Sequence, residues 1–211
     1  MPIISNEKRD ARRTQILNAA RRCFLREGLH ATTMPDVIQA SGLSTGAVYS
    51  YFKNKEDIIQ AALKTSMVEL SDLLQPILHT DSPLPPGGLL CQIMEAIVRF
   101  SARDGFDLKR LALLGWSEAQ RNARLRSSMG TFYIAFRNDL AGVAKEWQRT
   151  GIIDSSADPE DIGKALLALV LGFVVQAAII GEVEPETISR GLHWACRASE
   201  SGLKGSEAKD G

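Results

Sequence analysis

The sequence predicts an all-α protein of about nine helices. Strand signals are almost absent, whereas apolar residues recur every three or four positions in most segments of the 211-residue chain. N-capping residues open these segments, and glycines or prolines close them. Hydrophobic residues make up 45% of the chain and charged residues 24%, a balance typical of a soluble globular protein that buries its own core.

Three helices are predicted in the N-terminal quarter. The first covers about residues 9–27 and stops at Gly28, because glycine readily takes the left-handed conformation that ends a helix. The segment Thr33–Asp36 has the spacing of a capping box and opens a second, short helix. Ser44 is a suitable N-cap for a third helix over residues 45–51.

The remaining helices follow from clear breaks and regular apolar spacing. Asn54 caps the fourth helix, the proline- and glycine-rich segment 80–88 is a loop, and Asp158 with Pro159 opens the eighth helix. These helices are predicted at about 55–78, 89–103, 108–120, 125–150, 159–181 and 185–202.

Charge is distributed unevenly along the chain. Basic and acidic residues balance at 25 each, yet residues 1–55 contain nine basic and four acidic residues, for a net charge of +5. Residues 56–211 contain 16 and 21, for a net charge of −5. A basic segment of this kind favours a polyanionic partner, with chance clustering on a solvated surface as the alternative.

The second and third helices have the spacing of a helix-turn-helix unit. The third helix begins with small side chains, which let a helix lie close to the major groove of DNA. These leading residues are Ser44, Thr45, Gly46 and Ala47. Hydrogen-bond donors follow at Tyr49, Tyr51 and Lys55, and a basic run that precedes the unit could neutralise further phosphates. The run consists of Lys8, Arg9, Arg12 and Arg13.

Residues 14–58 resemble the N-terminal domain of the tetracycline-repressor (TetR/AcrR) family of bacterial transcription regulators. The matching residues are Ile16, Leu17, Ala19, Ala20, Phe24, Gly28, Thr32, Thr33, Asp36, Val37, Ala40, Gly42, Leu43, Ser44, Gly46, Tyr49, Tyr51, Phe52, Lys55, Glu56 and Ile58. So many fixed spacings make the resemblance specific, although it covers only about a quarter of the chain. The later helices are similar to the family in number, length and order.

The resemblance implies which residues contact DNA. They are Thr33, Ser44, Thr45, Gly46, Ala47, Tyr49, Tyr51 and Lys55, with Thr45 as the expected base reader. Met34 stands where some members have an arginine that reads a base, so no base contact is expected there. Each assignment has a purely structural alternative. Tyr49 and Tyr51 would be half-buried core tyrosines, Thr33 would only cap its helix, and Lys55 would be a solvated lysine.

The resemblance also implies an apolar ligand cavity among helices four to eight. The candidates are Met67, Met94, Phe100, Leu113, Trp116, Tyr133, Phe136, Phe173 and Gln176, which would otherwise be ordinary core residues. Gln176 is singled out because it is the only polar residue in 165–180. A buried, unpaired amide costs about 1–3 kcal/mol, so its alternative is a hydrogen bond in the core or across a dimer interface.

Helices eight and nine are predicted to form a homodimer interface. The eighth helix is apolar nearly all round and therefore needs cover on every side. Small residues on helix eight would let a partner helix approach closely, and helix nine adds apolar residues beside them. The resemblance implies a four-helix interface made by helices eight and nine of two copies of the chain. The interface candidates are Gly163, Ala168, Gly172, Ile188, Leu192 and Ala195.

Other classes of function are disfavoured. The segment 115–119 looks faintly like a nucleophile elbow, but a helix precedes it where a strand is required. The three cysteines and three histidines show no metal-ligand spacing, so no enzyme activity, metal or cofactor is expected. The apolar run 165–180 is shorter than the roughly 20 residues of a membrane span, and no signal peptide is visible, so the protein is predicted to be cytoplasmic.

The predicted organisation is a DNA-binding domain over residues 1–55, a ligand-binding and dimerisation domain over 56–202 and a frayed tail over 203–211. The predicted function is ligand-responsive transcriptional regulation by a repressor that leaves a near-palindromic operator when a small-molecule effector binds. Helix four would carry the signal from the bundle to the recognition helix. One alternative is a helical small-molecule-binding protein or enzyme without DNA binding. Another is a regulator without a small ligand, which responds to a protein or to no effector at all.

Overall fold

The computed structural model describes residues 6–102, 107–181, 183–192 and 194, and the regular structure in these ranges is helical. The helices are α1 (Asn6–Ala31), α2 (Met34–Ser41), α3 (Thr45–Tyr51), α4 (Lys55–Leu78), α5 (Pro86–Ser101), α6 (Leu108–Ala119), α7 (Ala123–Thr150) and α8 (Pro159–Ile179). Residues 185–192 form α9. The predicted all-α fold is confirmed.

Local signals in the sequence determine where the short helices begin. The Asp36 carboxylate accepts a hydrogen bond from the Thr33 amide at 2.8 Å, and the Thr33 hydroxyl accepts one from the Asp36 amide, which completes the predicted capping box. Ser44 caps α3 by accepting from the Ala47 amide. These bonds satisfy amides that a helix leaves unpaired at its first turn, and each cap contributes about 1 kcal/mol.

Among the boundaries that differ from the prediction, two have a clear physical reason. Gly28 has φ 86° and ψ 166°, which is not helical, but helical residues continue after it to Ala31. The predicted stop is therefore a break near the end of α1. The fifth helix begins at Pro86 rather than near Leu89, because proline is tolerated in the first turn, where its missing N–H would have no helical partner.

The chain divides into two compact units. The first takes in the described residues of 1–71 and 100–133, and the second those of 72–99 and 134–211. The predicted DNA-binding segment therefore shares a compact unit with the middle of the chain. The functional division at residue 55 stays a prediction.

One hydrophobic cluster forms the core of the first unit. It contains buried residues from α1, α2, α3, α4, α6 and α7. Ile16 and Phe24 from α1, Val37 from α2 and Val48 from α3 are fully buried. The helix-turn-helix is thus packed on the same core as the later helices of this unit.

The second unit buries apolar residues of α5, α7 and α8. Trp147 is fully buried, and its indole Nε1 donates a hydrogen bond to the carbonyl of Leu84 at 2.9 Å. This bond ties the end of α7 to the loop before α5. Both the apolar ring and the polar N–H of the tryptophan are therefore satisfied, as a buried indole requires.

Candidate DNA-binding surface and effector region

The recognition helix α3 exposes the residues predicted to face DNA. Ser44, Thr45, Gly46 and Tyr49 are exposed and Ala47 is half-buried, whereas Val48 packs into the core. Tyr49 is 46% exposed, which rules out the alternative that it is a core tyrosine. No described atom lies within 4 Å of a Cβ built on Gly46, so packing within the chain does not require a glycine there.

Two of the predicted contact residues have structural roles as well. Tyr51 is half-buried against the hydrophobic cluster of the first unit. The hydroxyl of Thr33 is exposed but already donates to the Asp36 carboxylate at 2.6 Å. Their proposed contacts with DNA therefore depend on groups that also hold the helix-turn-helix together.

Lys55 joins the start of α4 to the end of α1. Its Nζ donates a hydrogen bond to the carbonyl of His30 at 2.9 Å, so it is more than the solvated lysine of the alternative interpretation. An ammonium group has three N–H donors, and this bond leaves capacity for a phosphate oxygen. The same bond stabilises the last turn of α1, where carbonyl groups lack helical partners.

Arg13 is placed more definitely than the sequence could predict. The four residues of the basic run in α1 are exposed, and the Arg13 guanidinium lies 5.6 Å from the centroid of the Phe52 ring. A guanidinium over an aromatic face is attracted by the ring electrons. Arg13 therefore stands next to the residue that ends α3, whereas the sequence identified it only as part of a basic run.

Two of the effector candidates in the first unit, a tryptophan and a tyrosine, form a hydrogen-bonded pair. Trp116 Nε1 donates to the Tyr133 hydroxyl at 2.7 Å, and both side chains pack against the cluster that holds the helix-turn-helix. Met67 packs against the same cluster. Burial raises the pKa of Tyr133 despite the opposing effect of the Trp116 bond, so the phenol is neutral near pH 7.

The effector candidates do not fall in one compact unit. Met67, Phe100, Leu113, Trp116 and Tyr133 belong to the first unit, and Met94, Phe136, Phe173 and Gln176 to the second. Four of the nine are almost fully buried, as core residues are. These are Met94, Phe100, Phe136 and Phe173.

The premise that Gln176 is buried within its own chain is wrong, and its role in effector binding stays a prediction. It is exposed on α8, so its amide meets solvent in the single chain and needs no internal partner. Periodicity could not identify this position as exposed, because α8 is apolar nearly all round and offers no polar face to orient it.

The premise that Gly163 lets a second copy of the chain approach closely is also wrong. A Cβ built there would lie 2.9 Å from the Arg137 carbonyl oxygen and 3.0 Å from the Ala141 amide nitrogen. This glycine therefore lets α7 and α8 of the same chain approach closely, rather than a second copy.

The other interface candidates leave room for a partner. Ala168 is exposed, and Gly172, Ile188 and Leu192 are half-buried. No described atom lies within 4 Å of a Cβ built on Gly172, and only 28% of the most apolar stretch of α8 is buried. Ala195 lies outside the described residues.

Family models match both parts of the chain. Residues 16–62 match the model of bacterial regulatory proteins of the tetR family. Residues 90–197 match the C-terminal model of BetI-type transcriptional repressors, which covers half of the chain. The chain belongs to the tetR family. The predicted ligand-responsive, DNA-binding transcriptional regulator is thereby confirmed.

This tetR-family protein is similar to known transcriptional regulators over most of their length. The HTH-type transcriptional regulator UidR of Escherichia coli is 24% identical over 183 residues, which cover 87% of each chain. The HTH-type transcriptional repressor KstR2 of Mycolicibacterium smegmatis is 29% identical over 192 residues, covering 79% of this chain and 92% of the relative.

A solved structure shares the fold. A transcriptional regulator of Saccharomonospora viridis in complex with choline has a TM-score of 0.72 and 22% identity, covering 87% of this chain and 94% of its own. Among the described helices of this tetR-family protein, α8 alone is long and apolar enough to cross a bilayer, with a mean hydropathy of 2.1. One such helix is weak evidence, because core helices of soluble proteins pass the same test.

Proposed function

We propose that this tetR-family protein is a cytoplasmic, homodimeric repressor that releases a near-palindromic operator when an effector occupies the region around Trp116 and Tyr133. The carrying observation is the shared core of the first unit. Val37 and Val48 of the helix-turn-helix lie in the same hydrophobic cluster that Trp116 and Tyr133 pack against. A molecule that displaces this pair would therefore act on the packing that orients α3.

The exposed face of α3 supports the DNA-binding assignment. Its leading residues are small, and no described atom lies within 4 Å of a Cβ built on Gly46. This end of the helix can therefore approach base edges closely. Thr45 is the proposed base reader, while Tyr49 and Lys55 are the proposed backbone contacts. The +5 charge of residues 1–55 adds sequence-independent attraction to phosphates.

The Trp116–Tyr133 pair supports a mostly apolar effector with a hydrogen-bond acceptor. Because the Tyr133 oxygen accepts the Trp116 bond, its own O–H is oriented to donate elsewhere. Met67 contributes a flexible, polarizable side chain that adapts to different apolar shapes. The choline-bound relative of the same fold supports a small-molecule site in such a bundle.

The surface of α8 supports dimerisation. The stretch around Ala168 and Gly172 is apolar and largely uncovered in the single chain, and the small side chains at these two positions would let a partner helix approach closely. Ile188 and Leu192 of α9 are proposed to extend the contact. A two-fold dimer would place two recognition helices about 34–36 Å apart, one turn of DNA, so the operator should be a near-palindrome.

The test combines compound binding with operator binding. A panel of apolar, cationic and anionic compounds, with choline as the cationic probe, is screened by quenching of tryptophan fluorescence and by thermal stabilisation. Each binder is then titrated into the complex with an operator selected from random DNA. Linkage requires that the compound lower DNA affinity by the same factor by which DNA lowers compound affinity. The corresponding coupling free energy is typically about 1–3 kcal/mol.

A matched pair of variants locates the effect. Tyr133→Phe should weaken a binder that accepts the Tyr133 hydrogen bond, whereas Tyr49→Phe should leave compound binding unchanged. A compound whose binding depends on Tyr133 but leaves DNA affinity unchanged would contradict the proposed switch.

A further inference from the structure

One thiol and two carboxylates converge in the second unit. Cys91 and Glu95 lie one helical turn apart on α5, and Glu186 comes from α9. The thiol sulfur and one oxygen of each carboxylate all lie within 4.8 Å of one another. Sequence spacing could not predict this group, because Glu186 lies on a different helix and about ninety positions further along the chain.

The distances suit a small divalent cation. With Zn–S bonds of about 2.3 Å and Zn–O bonds of about 2.0–2.2 Å, tetrahedral ligands stand roughly 3.5 Å apart. The Cys91 sulfur and the Glu95 Oε1 are already separated by 3.6 Å. Small side-chain rotations would bring the three donors onto one ion, with water as the fourth ligand.

The surroundings orient the donors and leave a route for entry. Arg99 donates to the Glu95 Oε2 at 3.3 Å, which leaves Oε1 facing the thiol. Bonds of this kind fix the direction of a ligating carboxylate. Cys91 and Glu95 are half-buried, whereas Glu186 is exposed, so an ion can reach the group from solvent.

The electrostatics of the group favour a cation. The Cys91 thiol donates a hydrogen bond to the Glu95 Oε1, and Glu186 adds a second carboxylate beside the thiol. Two carboxylates that face a potential thiolate repel it as well as each other. A divalent ion would turn these repulsions into attractions, and a thiolate among the donors selects a thiophilic ion over Mg²⁺ or Ca²⁺.

We propose that Cys91, Glu95 and Glu186 bind a thiophilic divalent cation of the zinc class, which fastens α9 to α5. All three residues belong to the second unit, and the proposal does not depend on the proposed function. Its immediate effect would be to order the start of α9, the helix that carries Ile188 and Leu192.

The test uses the reduced full-length protein with Co²⁺ as a spectroscopic probe and Zn²⁺ as the competitor. We expect one Co²⁺ per chain, with an absorption band for sulfur-to-metal charge transfer that Zn²⁺ abolishes. Cys91→Ser should remove the band, and Glu186→Gln should weaken Zn²⁺ binding by at least about 10-fold, because loss of an outer-shell partner alone typically costs roughly 10–100-fold.

Matched controls keep the result specific. Cys23→Ser, Cys196→Ser and Glu184→Gln each remove the same chemical group from elsewhere in the chain and should leave the affinity unchanged. Thermal unfolding in the presence of a chelator shows whether each variant is folded. The proposal is overturned if no sulfur-to-cobalt band forms, or if folded Cys91→Ser binds Zn²⁺ as tightly as the wild type.

Discussion

Replacing Gly163 by alanine tests the close approach of α7 and α8. The new methyl group would lie 2.9 Å from a backbone oxygen and 3.0 Å from a backbone nitrogen of α7, atoms that cannot rotate away. Overpacking of this kind costs about 1–3 kcal/mol, and contact with rigid backbone puts this site at the upper end, about 2–3 kcal/mol, while alanine returns up to about 1 kcal/mol in helix propensity. We therefore expect a net loss of about 1–2 kcal/mol in the free energy of unfolding.

Gly172→Ala is the matched control on the same helix. Its methyl group meets no described atom within 4 Å, so the chain itself should gain up to about 1 kcal/mol from helix propensity. Thermal unfolding at several protein concentrations separates chain stability from dimer stability. For a chain of this size, Gly163→Ala should lower the melting temperature by about 2–8 °C. An unchanged or higher value would refute the close contact between α7 and α8.

Three further predictions concern DNA binding, assembly and the effector region. Tyr49→Ala should weaken operator binding in a fluorescence-anisotropy titration while sedimentation shows an unchanged dimer; unchanged affinity would contradict the docking of α3. Leu192→Glu places a charge in the proposed interface and should abolish dimerisation and operator binding together, so a variant that stays dimeric in sedimentation would remove α9 from the interface. Tyr133→Phe leaves the Trp116 N–H without its acceptor and should lower the free energy of unfolding by about 1–2 kcal/mol, measured by chemical denaturation; full stability would show that the bond is replaced.

Local features of the fold were predictable from the sequence. The capping box of Thr33 and Asp36 and the cap of Ser44 act within four residues, so their spacing alone determines where α2 and α3 begin. The exposure of Tyr49 was predictable from the family resemblance. These signals depend on the neighbouring chain, and tertiary packing does not override them here.

Non-local features were not predictable. The wrong premises for Gln176 and Gly163 have one cause, since an all-round apolar helix does not reveal which side faces its own chain. The bond from Lys55 to the His30 carbonyl and the approach of Glu186 to Cys91 join residues far apart in sequence. Such contacts leave no periodic trace, because each depends on how whole helices pack.

The salt dependence of operator binding tests the central account most directly. Wild type, Lys55→Ala and Lys64→Ala are titrated onto the selected operator at a series of salt concentrations; Lys64 is an exposed lysine of the same helix and serves as the control. The account predicts a steep loss of wild-type affinity with salt, a slope shallower by roughly one per monomer for Lys55→Ala, and a wild-type slope for Lys64→Ala. Wild-type binding that does not depend on salt, or equal slopes for all three proteins, would contradict the proposed DNA-binding surface.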